Sequence, residues 1–348
     1  MKRGGDVMAD PKEAARSPLP AQLGHRVFGH YRFVDYATQG YNAAAGLLVL
    51  LFHNETIPGW RWLVAAHVLV AVLIHWLIEG HARRQAGRGL DFLRHFYPIL
   101  LYTGFFRETG VINRVFFTEY LDPVVIRWEQ ALFGCQPSVL FMEKLPYLPV
   151  SELFYAAYFS YYIMIAGVGL ALFVRARSPF HHYVAVVSFL FYVCYLIYDV
   201  VPVIGPRVFF REVEGYALPA VVDLLAATDV YPVAVKAGLF YRIMAWIYEV
   251  FESPGAALPS SHVAVALCTV YFSFRYLRGI RYAHLVVALL LCASTVYCRY
   301  HYVVDVLAGL LTAALLVPLG NWLFWRFERV RPSLPTAQAG PGAQSSRS

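Results

Sequence analysis

GAALPSSHVAVALC, Gly255 to Cys268, leads through one histidine from a proline and two serines into an apolar run. Pro259, Ser260 and Ser261 are residues of a helix start: a serine oxygen accepts from a free first-turn amide, and proline belongs just ahead of the turn. The amides at such an end, with the positive end of the helix dipole, form an anion site. Capping accounts for the proline and the serines. It does not account for His262, which is either an interfacial residue at a membrane boundary or a group with chemistry to do.

The run after His262 is one of eight. Of the 348 residues, 59% are hydrophobic and only 15% charged, where a soluble chain carries about 25% charged residues. Mean hydropathy is +0.52. A spanning helix needs roughly 20 mostly apolar residues, and candidate spans fall at 35–52, 61–78, 95–112, 151–174, 182–203, 262–278, 282–298 and 302–325. The expectation is an all-α, polytopic membrane bundle of about eight transmembrane helices. The third span is the weakest, because Arg107 and Glu108 interrupt it; a tilted or re-entrant segment is the alternative to a full crossing.

The net charge of +7 does not point to nucleic acid. Its basic residues collect in short segments, 79–94 (including Arg94), 175–182, 275–281 and 326–331, and in the amino-terminal tail. The positive-inside rule puts all five in the cytoplasm with both termini. The long stretches 113–150 and 204–261 then lie on the outer face, with amphipathic pieces such as LFYRIMAWIYEVF along the interface. Residues 1–33 form a polar tail with no apolar core of a cleaved signal peptide. Residues 34–330 form one membrane domain, and the small, polar, Pro- and Gly-rich 331–348 reads as a disordered tail. The five cysteines form no C-x-x-C pair, so no metal knuckle or redox motif is signalled; Cys135 and Cys298 are a candidate for one shared face. Asn54-Glu55-Thr56 matches a glycosylation sequon in a loop too short to carry it.

Three elements converge on the outer face. His262 opens the sixth span. In STVYCRYHYVVDVLAG, Ser294 to Gly309, His301 and Asp305 are four apart and share a helix face. An aspartate on one ring nitrogen fixes the tautomer and leaves the other nitrogen free to react. The bland reading is a structural His–Asp pair, yet an ionisable pair inside a span is costly and functional by default. Arg207, in DVVPVIGPRVFF, and Arg299 carry guanidinium forks that suit phosphate oxygens, or anchor the chain at the interface. Asp199 either pairs with an arginine or lines a cavity. His262 and His301 are 39 residues apart, the length of two spans and a tight turn, so the chain returns to the same face. The tyrosines of YAAYFSYY, Tyr155 to Tyr162, read as helix packing, with a lipid groove as the alternative.

At these residues the chain resembles the type 2 phosphatidic acid phosphatase superfamily. Pro259-Ser260-Ser261-His262 is similar to its second motif, and His301 with Asp305, and Ser294 ahead of them, to its third; the resemblance covers about residues 92 to 320. Ser261 replaces a glycine, Thr295 stands at the usual arginine position, and no lysine precedes Arg207. These departures look more like the branch of inositol phosphorylceramide synthases and sphingomyelin synthases. The resemblance implies a six-helix catalytic core, no metal or other cofactor, and a lipid substrate within the bilayer. It implies His301 as nucleophile, Asp305 as its orienting group, His262 as acid and base, and Arg207, Arg299, Ser260 and Ser261 as phosphate-binding residues. The acceptor is a lipid hydroxyl in a headgroup transferase, or water in a phosphatase acting on phosphatidic acid or a polyprenyl diphosphate. A proton-coupled transporter is the distant alternative, disfavoured by charges at the edge of the membrane and by the lack of a repeat.

Overall fold

The computed structural model describes residues 28–83, 87–212, 231–251 and 253–330. The expected tails therefore lie largely outside the described residues. All regular structure within them is helical. In chain order the helices are α1 (Phe33–Phe52), α2 (Trp60–Arg83), α3 (Arg88–Ile112), α4 (Asp122–Phe133), α5 (Pro137–Lys144), α6 (Leu148–Arg175), α7 (Arg177–Val200), α8 (Pro206–Glu212), α9 (Val233–Lys236), α10 (Leu239–Phe251), α11 (Ser261–Tyr276), α12 (Arg281–Tyr297) and α13 (Val303–Val330). Eight of them coincide with the eight expected spans. Four, α2, α6, α7 and α13, are long and apolar enough by themselves to cross a membrane.

The bundle is organised around α7. Almost every side chain from Phe180 to Asp199 on this helix is buried or half-buried, and α1, α3, α6, α11 and α13 all pack on it. A helix apolar all round belongs in the middle of a bundle. Helices α11, α12 and α13 follow as an up-and-down set, with α12 lying on α6 and α13 on α7. The short helices α4, α5 and α8 to α10 gather at one end. At the other end Arg177 reaches Asp91 and Arg175 reaches the Tyr276 carbonyl, so the α2–α3, α6–α7 and α11–α12 turns meet there.

The third span is a continuous helix despite Arg107 and Glu108. Glu108 turns inward to His67 of α2 at 2.8 Å, so its charge is met inside the bundle. Arg94 departs from the simple picture of a solvated basic segment: it is buried and forks onto Asp35 of α1 at 2.6 and 2.9 Å, with the Tyr97 hydroxyl donating to the same carboxylate. Asp199 pairs with no arginine among the described residues; it is buried near Tyr41 and Glu108. All five cysteines are free thiols, so Cys135 and Cys298 form no disulfide. The Asn54 amide donates to the Arg114 and Val115 carbonyls, which ties the α1–α2 loop to the end of α3.

Helices α11 and α13 touch at backbone distance. A Cβ on Gly309 would stand 2.6 Å from the Ser260 carbonyl oxygen and 3.0 Å from the Val263 Cβ. Gly309→Val should therefore lower stability by about 1–3 kcal/mol through overpacking. Gly40→Ala, in α1 where an added Cβ meets nothing, should leave stability unchanged or slightly raised. Thermal unfolding of the purified protein in detergent reads both.

Candidate active site

The turn between α12 and α13 aims the catalytic candidates. The Thr295 carbonyl accepts from both the Tyr300 and His301 amides at 3.0 Å. Closing the turn this way puts Arg299 at φ +62°, the left-handed position that usually follows a helix C-cap and usually holds glycine. Beyond it the chain starts α13 with Asp305 in its first turn. Asp305 Oδ2 accepts from the Tyr302 amide at 2.9 Å and lies 3.3 Å from His301 Nδ1. His301 Nε2 is 3.2 Å from Nδ1 of His262, and His262 Nε2 is 2.9 Å from the Tyr158 hydroxyl, which in turn bonds to that of Tyr248. Asp305 thus claims the Nδ1 proton of His301 and leaves Nε2 as the nitrogen with a free lone pair. His301 and Asp305 are buried at 3% and 0% exposure, whereas His262 is half-buried.

The two serines are at the expected helix start. Ser260 is the N-cap of α11, its Oγ accepting from the Val263 amide at 3.4 Å. The Ser261 amide donates to Tyr198, whose own hydroxyl donates to the Pro259 carbonyl at 2.7 Å. Two amides of the first turn thus already have partners. Arg207 lies in the first turn of α8 with its guanidinium 4.7 Å from the Tyr248 ring and 5.6 Å from that of Tyr300. Those two rings stack at 4.2 Å, beside Tyr158. Arg207 therefore joins the histidine cluster through an aromatic wall. Arg299 is turned towards α5. It is buried, donates to Glu143 at 2.8 Å and to the Val139 carbonyl at 3.3 Å, and lies 5.7 Å from the Tyr231 ring. Ser294 returns its hydroxyl to the Leu291 carbonyl in its own helix.

Sequence reading missed two carboxylates. Asp122 and Glu129 are both buried on α4, a helix outside the expected spans. Asp122 accepts from the Ile204 and Gly205 amides at 2.9 Å and from the Tyr302 hydroxyl at 3.0 Å. Glu129 Oε1 accepts from the Val303 and Val304 amides, the free first-turn donors of α13. Together they fasten α4 to the segment that carries His301 and Asp305, and to Gly205 beside Arg207. Gly205 has φ +87° and an added Cβ would meet the Tyr300 carbonyl at 2.7 Å. Burial pushes both carboxyls up to about 7, against the lowering effect of the amides that bond to them. Only the pairing of Asp122 with a following proline, a helix-start signal, could have drawn attention to this region.

A cleft of about 640 Å³ runs away from the cluster. His262 and Ser261 stand at one end, with Tyr161, Tyr195 and Tyr248 around them, and Phe96 and Phe180 lie towards the other. The Tyr161 ring is 4.5 Å from the His262 ring. The tyrosine stripe of α6 thus both packs and lines a space beside the histidines.

Tyr158→Phe should weaken turnover while leaving the fold intact, because it removes the hydroxyl on His262 Nε2; activity beside a circular dichroism spectrum checks this. Glu129→Gln carries a pH prediction. A raised folded-state value means that the folded protein holds the proton more tightly than the unfolded chain. The contribution to stability is full below about 4.5 and is lost as pH rises through about 7. The variant has nothing to titrate, so its Tm should fall less than the wild type's between pH 5 and pH 8.

A family model described as PAP2 superfamily matches residues 124–319. No curated protein and no solved structure gives a match. The matched region runs from α4 into α13, covers more than half of the chain, and includes both histidines, Asp305 and the serine-capped helix start. On that match the chain belongs to the PAP2 superfamily, an all-helical membrane fold with a phosphatase or phosphotransferase kind of function.

Proposed function

We propose that this protein transfers a phosphoryl-bearing group from a lipid through a histidine-linked intermediate, and that the acceptor is the hydroxyl of a second lipid. The observation that carries the reading is the run Asp305–His301–His262–Tyr158, a nucleophile with its orienting group next to an acid–base partner. In the free site His262 and His301 touch, so the phosphoryl group enters by parting them. His301 Nε2 attacks phosphorus, forming an N–P bond, and the P–O bond to the leaving group breaks. His262 gives its Nδ1 proton to the leaving oxygen. In the second half the acceptor hydroxyl returns a proton to His262, its oxygen bonds phosphorus, and the N–P bond breaks. Asp305 stabilises the charge that builds on His301. Arg207, with Ser260, Ser261 and the positive end of α11, offsets charge on the phosphoryl oxygens. Arg299, in the salt bridge to Glu143, keeps the turn before His301 in place. The scheme uses no metal.

Enclosure favours the lipid acceptor. His301 is buried, and the half-buried His262 opens on the largely apolar cleft with the Tyr158 and Tyr161 rings against it, an environment that limits water. The same residues serve hydrolysis if water enters, and lipid phosphate phosphatase is the second reading. The four basic segments share the end of the bundle away from the site. By the positive-inside rule we assign that end and both termini to the cytoplasm, and the site to the outer face of the cell membrane.

His301→Ala should reduce turnover to about a thousandth or less while the protein still folds in the membrane. Asp305→Asn should lower it by about a hundredfold or more through loss of the oriented tautomer. The assay uses liposomes with EDTA and a phosphate-labelled phospholipid, with ceramide or diacylglycerol as acceptor. Label on the acceptor lipid supports transfer. Label released as free phosphate supports the phosphatase. Full activity in His301→Ala overturns the nucleophile assignment.

A further inference from the structure

The cleft beside His262 has a shape that bears on the substrate. Its floor is α7 and its two sides are α3 and α6, which both pack on α7 and meet at the foot, where the Phe96 and Phe173 rings are 4.9 Å apart; Ile247 and Phe251 of α10 add to the lining at the head. At the mouth Thr103, Tyr162 and Ala166 are exposed, whereas Tyr161, Gly169 and Tyr183 are buried further in. Apart from a few hydroxyls the lining is hydrocarbon and aromatic. Such a cleft admits an apolar chain sideways from the bilayer, with no passage through water. Along α7 the lining runs from Tyr195 to Phe180, about 22 Å at a rise of 1.5 Å per residue. One leaflet of the hydrocarbon core is about 15 Å deep. The cleft is deeper than one leaflet.

We propose that this cleft holds one hydrocarbon chain of the lipid that carries the phosphate, and that its depth sets the longest chain that it takes. The inference rests on the phosphoryl-transfer reading, because it takes the phosphate to sit at His262 and the chain to leave from there. Continuity is the argument for this occupant: the same cleft is lined by Ser261 and His262 at its head and by Phe96 and Phe180 at its foot. A second protein helix would be too wide for a cleft of about 640 Å³, since a helix with its side chains is about 10 Å across. Ala166 and Gly169 mark two depths on α6, about 12 and 17 Å below Tyr158 at the helical rise. A Cβ on Gly169 would already stand 3.3 Å from the Tyr183 ring, so a larger side chain there fills the lower part of the cleft.

Two measurements test this. The first needs no turnover. Phosphatidic acid with a diazirine on the terminal carbon of one chain is photolysed in liposomes with wild type and with His301→Ala. Label concentrated on peptides that contain Phe96 and Phe180, in both proteins, is the expected result. Label spread over the whole lipid-facing surface overturns the proposal. The second compares kcat/KM for a series of chain lengths. In Gly169→Leu the ratio of long-chain to short-chain kcat/KM should fall by about tenfold or more. Ala166→Leu should move the cut-off to shorter chains still, and Gly169→Ala, with less bulk, should fall between wild type and Gly169→Leu. Equal losses at every chain length overturn the ruler. Labelling of the cleft in a protein whose turnover ignores His301 would sink the catalytic reading and keep the chain-binding one.

Discussion

The backbone contact between the first turns of α11 and α13 sets the rest of the site. The Ser260 amide donates to the Asp305 carbonyl at 3.0 Å, and Gly309 lets the two helices come that close. One partner carries His262, the other follows His301. A side chain between them would separate the two rings, and 3.2 Å is already near the upper limit for a hydrogen bond. Asp305 takes part twice: its carbonyl holds the neighbouring helix and its carboxylate holds the His301 ring. The same residue therefore couples the packing of two helices to the placement of a histidine. The glycine of the DVLAG run is explained by this approach, since no positive φ is needed there.

Around that contact lies a layer of tyrosines and two carboxylates. Tyr198 bridges Pro259 and Ser261, Tyr158 holds His262, and Tyr302 links Asp305 to Asp122. Each places a hydroxyl on a polar group of the site, and each brings a large apolar ring with it. Asp122 and Glu129 do the same for backbone amides. Glu129 is a helix cap supplied from another helix, far away in sequence, and so it ties α4 to the turn that carries His301. The site end is therefore held by hydroxyls from the long helices α6 and α7 together with carboxylates from the short helix α4.

Charges within the long helices are handled differently. Asp35 and Arg94 neutralise each other, and Glu108 meets His67. A bidentate arginine–carboxylate pair is the arrangement in which a buried charge is least costly, and removing one partner would leave the other exposed to an apolar interior. These pairs join α1 to α3 and α2 to α3. They add three helices to one side of α7, ahead of the region that the family model matches.

The sequence by itself determined the eight helices of the expected spans and the end of the bundle at which His262, His301 and Asp305 stand. Twenty-residue apolar runs leave a chain few alternatives in a bilayer, since each backbone group must be satisfied within its own helix. It also determined the pairing of His301 with Asp305, because spacing of four fixes neighbours on one helix face. The tertiary structure alone decided what stands next to these groups. Arg299 is two residues from His301, and a single left-handed residue turns it to Glu143. Tyr158, in a stripe that reads as packing, becomes the partner of His262. Asp122 and Glu129 lie more than 170 residues from the backbone and hydroxyl groups that they hold beside His301, and no local pattern encodes such a distance. Periodicity specifies a helix face; which face meets which depends on how all the helices pack at once.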